Sequence, residues 1–252
     1  MKRSRLHWYA MFVACCTLFA VMSGAAVTSS RDHFQNVHMA VAGVDILLIV
    51  GLCVWRRAGW SMLAVLVAEV GLGKFQGPVA GTLHAGLAAL LFAGVASVVL
   101  ITSRSWQCQP DLVQDYGWPS LRSLSGAAAF LVAVQVGFGA GFRHSAVGVM
   151  PHLLGALVVT LFIVIVGAFV THQFPKHASL RPMAVWFMTI TGIQAFLGMT
   201  AFLVRMMGTP GSLVFLGISV AHVATGSLTL AASVILAMEI RRSVMGRVVE
   251  GG

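Results

Sequence analysis

"EVGLGKFQGPVAGTLHAGLAALLFAG", Glu69 to Gly94, decides how this chain is read. An apolar run closes on an acid and, four residues later, a glycine. A short turn follows, and a second apolar run opens around one histidine, His84. The phrase returns as "QVGFGAGFRHSAVGVMPHLLGALVVTLF", Gln135 to Phe162, which carries His152, and as "QAFLG", Gln194 to Gly198, ahead of His222. A more degenerate version has "MSGAA", Met22 to Ala26, ahead of His38. Repetition of this kind points to one helical pair used several times.

The composition sets the solvent. Hydrophobic residues make up 58% of the 252 and charged residues 9%, against about 25% charged in soluble domains. Apolar runs able to cross about 30 Å of hydrocarbon as helix fall at 8–28, 37–55, 59–76, 80–103, 123–142, 150–171, 183–204 and 213–238. Their length argues for helices, since barrel strands read as segments of about ten alternating residues. The expected fold is therefore all-α and polytopic, with eight transmembrane helices in two pseudo-symmetric four-helix bundles. The N-terminal half would cover 1–103, a cytoplasmic linker 104–122 and the C-terminal half 123–252.

With the N-terminus inside, twelve of the sixteen Lys and Arg residues fall on the inner side, leaving Arg31, Lys74, Arg143 and Arg205 outside. Cations concentrate on the cytoplasmic side of membrane proteins, so both termini are expected in the cytoplasm and the chain in the inner (plasma) membrane, multi-pass. The net charge of +9 then reflects topology and attraction to anionic headgroups. Dispersed over loops, it gives no nucleic-acid surface. "MKRSR" before the first run reads as the flank of an uncleaved span rather than a cleaved signal. Cys15, Cys16, Cys53 and Cys108 lie in spans or on the inner side, away from the compartment where disulfides persist.

One histidine on the second and fourth helix of each half is the chemically informative pattern. Facing helices of a four-helix bundle hold cofactors, and two imidazoles form an axial pair for heme iron. Each one alone reads as an interfacial histidine; four at repeated places read as ligands. Zinc fits less well, because its ligands cluster at short spacing. His7, His172 and His177 on the inner side, and His33 and His144 in outer loops, read as solvated or interfacial. His222, nine residues into its run, is expected either to lie deeper than the others or to belong to a helix starting near Leu216. Asp45 reads as a neutral, paired acid or part of a proton path, and Glu69 as a structural hydrogen-bond partner between helices.

These runs and histidines resemble the heme A synthase family of cytochrome oxidase assembly over essentially the whole membrane part. The resemblance implies an oxidoreductase that converts the methyl group of heme o to the formyl group of heme a. It implies that His152 and His222 ligate a resident heme b, and that His38 and His84 face the substrate, heme o. All four would then be metal ligands. Partners would include the lipid bilayer, an unidentified electron donor, and heme o synthase or cytochrome oxidase subunits. Family members carry a glutamate three residues before the first histidine and an arginine just after it; here Gln35 and Met39 stand there. The outer cysteine pair common in the family is also missing. Gln35 and Asp32, with His33 beside it, are the candidates for the catalytic relay. Arg143 reads as the partner of a heme propionate or as an interfacial arginine. Two alternatives accompany the synthase reading: a non-catalytic heme b-binding electron-transfer or heme-holding subunit, and a transporter.

Overall fold

A computed structural model describes residues 5–30, 34–56, 59–208 and 212–246. Among these residues the chain runs α1 (Arg5–Ser30), α2 (Gln35–Arg56), α3 (Trp60–Leu72), α4 (Pro78–Ile101), α5 (Arg104–Gln107), β1 (Val113–Gln114), α6 (Leu121–Arg143), α7 (Val149–Gln173), α8 (Leu180–Met206), α9 (Leu213–Ser243) and β2 (Val244–Met245). It is an all-helical multi-pass membrane protein. Among the described residues seven helices are long and apolar enough to cross a bilayer: α1, α2, α4 and α6 to α9. The expected third span, 59–76, is instead a 13-residue apolar helix, α3, about 20 Å long at 1.5 Å per residue. It stops at Leu72 because "GLGKFQG" supplies flexible backbone, with Gly77 at φ +119°, and Pro78 then starts α4 at a position where its missing N–H costs nothing.

Two apolar cores organise the helices. Val13, Ile49, Leu52, Leu66 and Val95 bury one among α1 to α4; Leu121, Ile163, Val166, Phe187 and Leu236 of α6 to α9, with Ala89 and Phe92 of α4, bury the other. In the first group α1 packs on α2 and α4, and α3 on α2 and α4. In the second, α6 packs on α7 and α9, and α8 on α7 and α9. The groups meet where α9 lies on α1 and α4, and α4 on α6. Leu47, Leu157 and Phe196 on the outside are more than two-thirds exposed, as lipid-facing side chains are.

The segment between α4 and α6 is pinned to the end of α9. Val113 and Gln114 pair in parallel with Val244 and Met245, and Arg242 lies over the Trp106 ring, 4.6 Å from its centre. Tyr116 and Trp118 are exposed, suited to an interfacial position. Asp115 is buried and accepts from the backbone N–H groups of Leu121 (2.5 Å) and Gly117 (2.9 Å) and from Gln173 Nε2 (3.3 Å). Asp115→Ala leaves these donors unsatisfied and is expected to cost about 1–3 kcal/mol, read as a lower thermal midpoint in detergent.

Two of the five histidines expected to be solvated or interfacial are buried and bonded within the fold. His7 is buried on α1 with Nδ1 3.1 Å from Thr102 Oγ1. His177 is buried, and its Nδ1 accepts from the backbone of Leu180 and Ser179 at the start of α8. His177 thereby satisfies N–H groups that lack intrahelical partners at the start of α8, and His7 joins the start of α1 to the end of α4. His172 is exposed as expected, and His33 lies outside the described residues.

Candidate functional site: two histidine pairs

α2 and α4 bring His38 and His84 together with 6.4 Å between ring centres and 82° between ring planes. α7 and α9 do the same for His152 and His222, at 6.1 Å and 84°. The four residues singled out in the sequence are thus two facing pairs, one in each group of helices. Imidazoles bonded through nitrogen to opposite sides of one metal ion lie about 6 Å apart between centres, given metal–nitrogen bonds of about 2.0 Å. α9 starts at Leu213, so a helix beginning later, near Leu216, is not what brings His222 to His152.

Each ring rests on the preceding helix in the same way. A Cβ added to Gly24, Gly73, Gly139 or Gly198 would lie 3.1, 3.1, 2.9 or 2.7 Å from Cε1 of His38, His84, His152 or His222 respectively. The missing side chain of glycine permits this approach; at Gly139 and Gly198 a Cβ would force the ring to move, and at Gly24 and Gly73 a few tenths of an ångström would relieve the contact. Four residues before each glycine, one helical turn back, stand Ala20, Glu69, Gln135 and Gln194, and each engages the ring. His84 Nδ1 donates to the Glu69 carbonyl at 3.0 Å and lies 3.2 Å from its carboxylate. His222 Nδ1 donates to the Gln194 carbonyl at 3.2 Å. His38 Nδ1 donates to Ser23 Oγ at 2.9 Å, because that hydroxyl is itself donated to the Ala20 carbonyl. Gln135 Nε2 lies 2.9 Å from His152 Nδ1 and donates to the His152 carbonyl. Gln135 Oε1 is buried without a partner among the described residues.

A ring held through Nδ1–H offers Nε2 as an electron pair, with its orientation fixed by the outer partner. On His38, His84 and His152 no described residue hydrogen-bonds Nε2; on His222 the Gln194 amide nitrogen approaches it at 3.4 Å. Among the described residues no cluster of three or more His, Cys, Asp or Glu could hold a metal ion. The donor set is therefore two imidazoles per site, which suits a metal whose remaining positions come from a macrocycle.

The other candidates are placed as follows. Gln35 is exposed in the first turn of α2, three residues before His38, a spacing that puts both on one side of the helix. Asp32 lies outside the described residues. Arg143 ends α6, and its Nη2 donates to the Ala25 carbonyl (2.9 Å) and Ser29 Oγ (3.2 Å) of α1; no carboxylate pairs with it among the described residues. Asp45 is buried and bonded to Thr17 Oγ1 at 2.9 Å.

His144 was not expected at the site. Its ring sits against Gly81, one turn before His84, so the group containing α6 reaches the mouth of the His38–His84 pair. Burial, then the charges of Arg143 and His84, hold its pKa below the usual histidine range. Ser145 beside it adopts φ +61°, uncommon for a non-glycine residue. Comparison of the sequence with protein-family models and with curated proteins finds no match.

Proposed function

We propose that this protein is a membrane heme protein of the heme A synthase type, holding one heme between His152 and His222 and a second, substrate heme between His38 and His84. The observation that supports it is the repeated cradle: two histidine pairs about 6 Å apart, every ring backed by a glycine and tied down one turn earlier. On this reading α3 completes an eighth crossing, and α1–α4 and α6–α9, which close on the same packing pattern, are duplicated halves. Both termini and the α4–α6 linker lie in the cytoplasm, with the histidine pairs near the outer face of the plasma membrane. Heme iron would supply the redox chemistry that turns a methyl into a formyl group.

The chain's own residues bind and orient. His38, His84, His152 and His222 offer Nε2, and their outer hydrogen bonds fix the ring planes. Arg143 is a partly buried cation without an acid partner among the described residues, and a buried cation favours an anionic neighbour; a heme propionate satisfies it. Gln35 can donate and accept hydrogen bonds but cannot ionise. That neutrality favours, as a second reading, a heme-holding or electron-transfer subunit without oxidation of the bound heme.

The test begins with colour. Protein purified from heme-replete cells is expected to show a reduced-minus-oxidised heme spectrum; colourless protein overturns the heme reading. Extracted pigment then separates the two readings, because only a synthase accumulates hydroxyl- or formyl-bearing heme. Gln35→Glu is expected to raise heme a yield in cells supplied with heme o. Formyl heme at full yield in the unaltered protein, indifferent to this change, removes Gln35 from the relay.

A further inference from the structure

The four histidines share one cradle but not one charge. At the position a turn before the glycine, the C-terminal pair has the neutral amides Gln135 and Gln194, whereas His84 has the carboxylate of Glu69 at 3.2 Å from Nδ1. His38 is backed by the Ser23 hydroxyl. The His84 Nδ1–H goes to the Glu69 backbone carbonyl, and the carboxylate stands beside the same nitrogen; a negative charge next to the outer nitrogen of a ligating imidazole makes that imidazole a stronger donor, and a stronger donor favours the oxidised metal. Among the described residues a charge of the opposite sign acts on the other site: the Arg143 guanidinium is near enough to His222 to act on it electrostatically, and a nearby cation favours the reduced metal.

Resting on the heme reading, we propose that Glu69 is a positioning and tuning residue for His84, and that it sets the His38–His84 site to a lower reduction potential than the His152–His222 site. The two sites are then ordered in potential by second partners rather than by ligands, which are histidine throughout. With heme held at both pairs, Glu69 would favour the oxidised state at the N-terminal pair, and the neutral Gln135 and Gln194 together with Arg143 would favour the reduced state at the C-terminal pair.

The experiment is a spectroscopic redox titration of the full-length chain in detergent, loaded with protoheme. The unaltered protein is expected to titrate in two steps, with His84→Ala removing the lower. Glu69→Gln is expected to change the oxidised-to-reduced ratio of that component at least about tenfold in favour of the reduced form, an upward shift of about 59 mV for one electron, and to leave the upper step in place. Gln135→Glu is expected to lower the upper step, and it carries the test if Glu69→Gln fails to hold heme. If only one site loads, its midpoint is compared with that of its own variant, Glu69→Gln or Gln135→Glu. Heme retained with unmoved midpoints in these variants, or loss of the upper step in His84→Ala, overturns the proposal. A chain that takes up no heme overturns the reading beneath it, a separate and visible result.

Discussion

His152→Ala and His222→Ala are each expected to abolish the low-spin heme signal proposed for the C-terminal site, and His172→Ala to leave it intact. His152 and His222 are 6.1 Å apart between ring centres on α7 and α9; His172 is exposed at the other end of α7. Removing one imidazole of an axial pair leaves iron five-coordinate or open to water, which converts a low-spin spectrum to high-spin or releases the heme. The affected fraction should be the whole of one site, since no other described histidine is close enough to take the vacant position: His144 lies against Gly81 of α4. Optical spectra of the reduced and oxidised protein, with heme-to-protein ratios, check this. Unaltered low-spin spectra in both alanine variants remove the ligand assignment. The near-perpendicular ring planes, 82° and 84°, add a finer expectation: axial imidazoles held crosswise give a strongly anisotropic low-spin paramagnetic resonance signal, and a rhombic signal would mean that the rings turn on binding.

Seven of the spans were legible because each is an uninterrupted apolar run, and hydropathy measures that property directly. The third was legible as an apolar run but not in length: 59–76 contains the right residues, yet Gly71, Gly73 and Gly77 let the chain leave the helix at Leu72. The glycine phrase was visible as a repeat, while its purpose was not, because close approach of a ring to a backbone is a relation between helices. The first unit was read in the wrong register. The residues that work are "AVMSG", Ala20 to Gly24, and Ala20 contributes only its carbonyl, which no residue-type pattern can display. Glu69 was expected to be a structural hydrogen-bond partner between helices, and it does bond across to α4; that its partner is a site histidine required the fold. The same is true of His7 and His177, whose burial depends on helix ends meeting far along the chain, and of His144, whose approach to α4 depends on how the two groups of helices pack.

Gly198→Ala and Gly139→Ala are expected to displace the site histidines while leaving the fold standing. A Cβ at Gly198 would come within 2.7 Å of Cε1 of His222, and one at Gly139 within 2.9 Å of Cε1 of His152. Contacts this short force something to move. The neighbour is the end of a side chain rather than backbone, so the ring yields and the helices do not. Alanine also favours helix over glycine by about 1 kcal/mol, so the thermal midpoint should change little while the heme is lost or its spectrum turns high-spin. Gly137→Ala and Gly192→Ala are the controls, since a Cβ at either meets nothing within 4 Å, and they should keep the native spectrum. Gly24 and Gly73, where the contact is 3.1 Å, should show a milder effect at the His38–His84 site, because a few tenths of an ångström of ring movement relieves it. If Gly198→Ala and Gly137→Ala retain heme equally, the glycines are not the seats of the rings. If Gly198→Ala unfolds the protein, the clash is borne by the backbone instead. Loss of heme from a stable chain is what distinguishes a cradle built for ligand orientation from one that merely lets two helices touch.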